Sequence, residues 1–142
     1  MSEKILLVDD EQEFLEVMAE RLSARGMKVS TADSALDALR QVETETFDAI
    51  ILDLQMPAMD GIETLKALKQ KRPELQIILL TGHATIKKGI EAMKLGAMDF
   101  IEKPADLAAL TEKIKEAQAQ RMVIVEKQVE EKLKKIINVK GW

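Results

Sequence analysis

Short apolar runs alternate with helical patterns five times along this chain, and that alternation leaves it few folds. Residues 4–8, 27–32, 47–53, 75–80 and 98–102 read as strands. The third carries Ala49-Ile50-Ile51-Leu52, apolar on both faces, as in the middle of a parallel sheet. Between the strands, apolar residues recur at helical spacing. The predicted inward faces are Phe14, Leu15, Met18 and Leu22; Leu36, Leu39 and Val42; Ile62, Leu65 and Leu68; Ile86, Ile90 and Met93; and Leu107, Leu110 and Ile114. Gly26 and Gly96 stop the first and fourth helices. Asp33 or Ser34 caps the second, Asp60 the third and Asp106 the last. Strict alternation places helices on both faces of a parallel sheet.

Right-handed crossovers then favour the strand order 2-1-3-4-5. The predicted fold class is α/β: a doubly wound (βα)5, flavodoxin-like three-layer sandwich with an extended C-terminal helix. Strands one and three flank the switch point, where such sheets bind ligands. Strand one runs into Asp9-Asp10-Glu11 and strand three ends on Asp53. Strand four delivers Thr81, and strand five leads into Lys103-Pro104. Bunched carboxylates repel, which raises their pKa values or calls in a cation. The chain has no cysteine, so an all-oxygen set points to a hard ion, and magnesium suits one or two carboxylates plus retained waters. Carboxylates, magnesium, a hydroxyl and a lysine around one cavity are equipment for phosphoryl transfer. Asp53, alone on the central strand, is the candidate nucleophile for an aspartyl phosphate. Asp10, with Asp9 behind it, is placed to hold the metal.

The runs VDDE after strand one, ILDLQMPAMDG around Asp53, LTGHA after strand four and FIEKP at strand five together resemble the response-regulator receiver domain of two-component signalling. The resemblance spans Glu3 to about Ala119. It implies that Asp53 is the phosphoacceptor and that Asp10, Asp53 and the backbone carbonyl of Gln55 ligate Mg2+ directly, with Asp9 acting through water. It gives Lys103 and Thr81 to the phosphoryl group and makes Phe100 the switch aromatic, without the hydroxyl of the commoner tyrosine. Gln55 and His83 fall where the family tunes phosphoryl lifetime; His83, the only histidine, reads equally well as a solvated loop residue. The family's Lys-Pro peptide is cis, whereas the general frequency of such bonds favours trans for Lys103-Pro104. A flavodoxin would need a Ser/Thr/Gly loop where Asp9-Asp10-Glu11 stands, no Gly-rich nucleotide motif occurs, and a haloacid-dehalogenase-type D-x-D after strand one is absent.

Residues 1–119 read as the receiver and 120–142 as a helical extension. The extension carries net charge +3 against −7 for the body, and an acidic body in a chain with one Trp, three Phe and no Tyr argues against nucleic acid as the direct ligand. Met122, Val125, Val129, Leu133 and Ile136 form a stripe out of phase with Leu110 and Ile114. Back-packing on the body or a homodimer through this helix is expected, rather than a membrane surface; Trp142 is an anchor or a frayed end. No signal peptide or membrane span fits the chain, so cytoplasm is the expected location. The resemblance makes the chain a phosphorylation-controlled switch, fed by a sensor histidine kinase or phosphotransfer protein and acting on an unknown downstream protein. It is not a conventional enzyme, since it works on its own Asp53. Two other readings stay open: a constitutive scaffold working through the C-terminal helix, and a receiver cut from a larger transcriptional regulator. The start of the chain and its tail favour a stand-alone receiver.

Overall fold

The computed structural model describes residues 2–56, 59–82, 86–104 and 106–139. In chain order the elements are β1 (Lys4–Val8), α1 (Gln12–Ala24), β2 (Lys28–Ala32), α2 (Ala35–Thr44), β3 (Ala49–Asp53), β4 (Gln55–Met56), β5 (Met59–Asp60), α3 (Gly61–Lys71), β6 (Ile77–Thr81), α4 (Ile86–Lys94), β7 (Asp99–Glu102) and α5 (Leu107–Val139). Five parallel strands form one sheet in the order β2-β1-β3-β6-β7, which is the predicted 2-1-3-4-5. The short β4 and β5 pair antiparallel, Gln55 opposite Asp60, in a stretch the sequence presents as a loop.

Alternation within the strands divides the core between two faces. Leu6, Val8, Ile50, Leu52, Ile77 and Leu79 pack beneath α2, α3 and α4. Ile5, Leu7, Ala49, Ile51, Ile78 and Leu80 meet Leu15, Met18 and Leu22 of α1 and Leu110, Ile114 and Ala117 of α5. The caps act as their residue types dictate. Ser34 accepts from the Asp37 amide, Asp60 from Ile62 and Glu63, and Asp106 from Ala108. Gly26 and Gly96 end α1 and α4 at φ of 90° and 105°, where a side chain is strained.

Two helical faces differ from expectation. Leu36 is 60% exposed, and α2 buries Ala38 and Val42 instead. Ile90 and Met93 are 50% and 37% exposed, while Gly89 and Ala92 face the sheet. A Cβ on Gly89 would lie 3.4 Å from Thr81 Cγ2, so α4 sits too close for large inward side chains. The Lys103-Pro104 peptide is cis, as the family resemblance implied and against its general rarity.

The last helix runs unbroken for 33 residues. Its first part lies on the sheet and is tied at the lower edge. There the Asp48 carboxylate accepts from the Lys4 amide at 2.8 Å, Gln118 Nε2 at 3.4 Å and Arg121 Nη1 at 3.2 Å. Beyond Arg121 no residue through 138 is buried. The expected back-packing of the extension is therefore not adopted: helical continuity through residues 117–122 carries the stripe away from the body. No helix is long and apolar enough to cross a membrane among the described residues. Trp142 lies outside them.

Candidate functional site

Strand register assembles the site. Val8 pairs with Leu52, so Asp9, one residue on, comes alongside Asp53. Asp53 pairs with Leu80, which sets Thr81 beside it. Thr81 pairs with Glu102, and Lys103 follows. Four strand ends thus bring Asp9, Asp53, Thr81 and Lys103 to the carboxyl edge of the sheet. Lys103 is fixed at its backbone too, its amide donating to Thr81 O at 2.7 Å.

Asp9 and Asp53 are each only 1% exposed. Both converge on one cation: Lys103 Nζ lies 2.7 Å from Asp53 Oδ2 and 3.5 Å from Asp9 Oδ2. The same ammonium stands 4.7 Å from the centre of the Phe14 ring, close enough for a cation–π contact. Burial pushes the Asp9 carboxyl up to about 6, and the Asp53 charge adds to this, against the pull of the Glu11 amide and Lys103. Burial pulls Lys103 down, but its hydrogen bond to Asp53 and the two acidic charges outweigh that and hold it above the usual lysine range. Asp10, the residue after Asp9, is half-buried.

Thr81 is fully buried, and its Oγ1 is the one buried side-chain polar atom without a hydrogen-bond partner among the described residues. Such a group costs about 1–3 kcal/mol. It is aligned with Asp53 and Lys103 by register, so an incoming oxygen acceptor would relieve it. Phe100 is half-buried on β7 against the core. Gln55 enters through its backbone in β4; His83 lies outside the described residues. Among the described residues no three acidic or imidazole side chains form a ready-made metal cage. The donor set nevertheless fits a hard dication: buried carboxylates, one reluctant to ionise, already gathered about a positive charge.

Two site features had no signal in the sequence that helical spacing could supply. Phe14 counts there only as core, yet it floors the Lys103 ammonium. Gly61 reads only as a turn residue, yet a Cβ on it would meet Leu54 Cα at 2.9 Å, so helix α3 starts against the backbone that follows Asp53.

Residues 5–115 match the family model described as the response regulator receiver domain. The transcriptional regulatory protein ZraR of Klebsiella oxytoca is 36% identical over 115 residues, 81% of this chain and 26% of that protein. The chain thus spans about a quarter of the length of that relative. A receiver-domain protein from Clostridium thermocellum, 32% identical, superposes with a TM-score of 0.82 over 87% of this chain and 99% of its own. A structure described as an adenylate cyclase from Rhodopirellula baltica, 30% identical, has a TM-score of 0.85 and covers 95% of this chain and 99% of its own.

Proposed function

This chain belongs to the response regulator receiver family of two-component signalling, and on that premise we propose that Asp53 takes a phosphoryl group from the phosphohistidine of a sensor kinase or phosphotransfer protein. The observation that carries this reading is the buried Asp53–Lys103 pair beside an unpartnered Thr81 hydroxyl.

In the transfer, an Asp53 carboxylate oxygen attacks phosphorus, the P–N bond breaks, and the imidazole nitrogen keeps the electron pair. The product is an acyl phosphate. Lys103 exchanges its contact with the unphosphorylated Asp53 carboxylate for one with a phosphoryl oxygen. The Thr81 hydroxyl donates to another, gaining the acceptor it lacks. Asp10, Asp53 and the Gln55 carbonyl would hold Mg2+, with Asp9 reaching it through water. Bound there, the ion neutralises charge on the phosphoryl oxygens. Movement of Thr81 toward the phosphoryl group opens space beside Gly89, and Phe100 turns inward. Ile90, Met93 and Leu95, already 50%, 37% and 37% exposed, belong to the surface that this remakes for a downstream protein. Water later attacks phosphorus and releases phosphate, with Gln55 and His83 setting the rate. The chain turns over its own carboxylate and no separate substrate.

The test is intact mass after incubation with acetyl phosphate, with and without Mg2+, beside Asp53→Asn. One added phosphoryl group that requires both Mg2+ and Asp53 supports the switch. Failure to gain it, together with failure to bind beryllofluoride, would leave the scaffold reading. The likeness to a transcriptional regulator supports transcription as the output; reporter expression that ignores Asp53→Asn would remove that assignment.

A further inference from the structure

We infer that Phe14 is a positioning residue for the transfer: its ring face keeps the Lys103 ammonium at the site while that ammonium exchanges Asp53 for the phosphoryl group. The inference rests on Asp53 being the phosphoacceptor. Lysine is a compact charge on a flexible four-carbon stem, so something has to limit where it goes. In the resting protein Asp53 does most of this at 2.7 Å, with Asp9 more distant at 3.5 Å. The transfer gives up the first of these contacts. Beside Lys103 lies an open groove of about 530 Å3, with Glu11, Phe14, Val17 and Met18 in its lining. It offers the ammonium two other destinations, bulk water and the exposed Glu11 side chain.

Phe14 stands where the groove meets the site. It lies in the first turn of α1, half-buried, and packs on the core that holds Leu15, Met18 and Leu22. Those three buried residues seat α1 on the sheet, so the ring is placed by the core and not by Lys103. Its face meets Lys103 Nζ at 4.7 Å from the ring centre, inside the roughly 6 Å reach of a cation–π contact. A ring suits this task better than a third carboxylate would. It attracts the cation through its quadrupole, yet it has no lone pair to capture an N–H donor and no charge to repel the phosphoryl oxygens. It therefore holds the ammonium without competing for it. An aliphatic side chain of similar bulk would fill the same space and hold nothing. The ring matters most while the Asp53 contact is being exchanged, because no partner at full hydrogen-bond strength then restrains the lysine.

The test is the rate of Asp53 phosphorylation by acetyl phosphate with Mg2+, followed by intact mass. This small donor needs no docking surface, so a change in rate reports on the site and not on kinase binding. Phe14→Leu should slow the reaction roughly three- to tenfold. Replacing Phe14 alone with mono-, di- and trifluorinated phenylalanine leaves its packing almost unchanged and weakens the ring face step by step, so the rate should fall with each fluorine. In the unphosphorylated chain the ring should shift the Lys103 ε-methylene protons upfield in the NMR spectrum, and Phe14→Leu should abolish that shift. A slow Phe14→Leu protein beside fluorinated chains as fast as the parent would make Phe14 a packing residue and overturn the inference. A Phe14→Leu protein as fast as the parent, or a Lys103 ε-methylene with no upfield shift, would overturn it as well. These failures leave the role of Asp53 intact. A parent chain that gains no phosphoryl group would instead remove that role, and this inference with it.

Discussion

Replacing Gly61 with alanine is expected to destabilise the protein and slow phosphorylation at Asp53 in one stroke. Gly61 opens α3 with an ordinary backbone conformation, since among the described residues only Gly26 and Gly96 have positive φ. On conformational grounds alone, alanine in a helix should therefore gain about 0.5–1 kcal/mol. Sterics reverse the sign. The added Cβ would stand 2.7 Å from Leu54 Cδ2, 2.9 Å from Leu54 Cα and 3.3 Å from Leu54 O. The leucine tip could swing aside, but the Cα cannot move alone. Leu54 is buried, and its amide is bonded to Leu80 O at 3.1 Å. Relief must come from shifting α3 or the backbone next to Asp53. Overpacking of this kind costs about 1–3 kcal/mol, so after the conformational gain the net loss should be about 0.5–2 kcal/mol and the melting temperature should fall by roughly 2–7 °C. Urea unfolding followed by far-UV circular dichroism measures it, since the single tryptophan, Trp142, sits at the chain end. Gly89→Ala is the control: its Cβ would meet Thr81 Cγ2 and the Phe100 ring at 3.4 and 3.8 Å, ordinary contacts in mid-helix. That variant should gain about 0.5–1 kcal/mol. A Gly61→Ala protein as stable as the parent, or more so, would refute the reasoning.

Thr81→Val should leave the unphosphorylated protein as stable or up to about 2 kcal/mol more stable in urea, because it removes a buried hydroxyl that has no partner. The same variant should lose the conformational response to beryllofluoride, read by amide chemical shifts on β7. Asp48→Ala should cost about 2–4 kcal/mol, since the carboxylate is 9% exposed and takes three donors; hydrogen exchange should also quicken around residues 117–122. In chelator, Asp9→Asn should be more stable than the parent at pH 7.5, by roughly 1–3 kcal/mol. The Asp9 carboxyl is pushed from 3.8 up to about 6, so the fold binds this proton more tightly than the unfolded chain does. Its contribution is full below about pH 4 and is lost as pH rises through about 6. The advantage of Asp9→Asn should therefore shrink when unfolding is repeated at pH 4.5, and an advantage independent of pH would contradict the burial argument.

The parts of the fold that were legible in the sequence rest on short-range rules. Strand ends could be counted because Val8, Leu52 and Leu80 close apolar runs, and register in a parallel sheet then fixes which following residues meet. Asp9, Asp53, Thr81 and Lys103 come together on that account. Helix faces were less legible because spacing arguments weight large apolar residues. In α4 the close approach to Thr81 selects Gly89 and Ala92 for the inward face and leaves Ile90 and Met93 outside. The Asp48 latch joins residues 70 and 73 positions apart, and no local pattern announces such a pair. The Phe14 contact to Lys103 is longer in sequence still.

Helix α5 gives these observations a common mechanical consequence. It is tied to β7 by Lys113, whose ammonium lies 2.7 Å from Asp99 Oδ2, one residue before Phe100. It is tied again by Arg121 at Asp48, just before the central strand β3. The two ties are eight residues apart, roughly 12 Å along the axis, and Ile114 and Ala117 are fully buried between them. A rod held at two points and packed between them cannot take up a displacement of β7 by bending locally; it must slide or roll as a unit. The extension is the same rod continued without a break. A small roll at Asp99 therefore appears undiminished at Leu133 and Ile136, turning the stripe relative to the body.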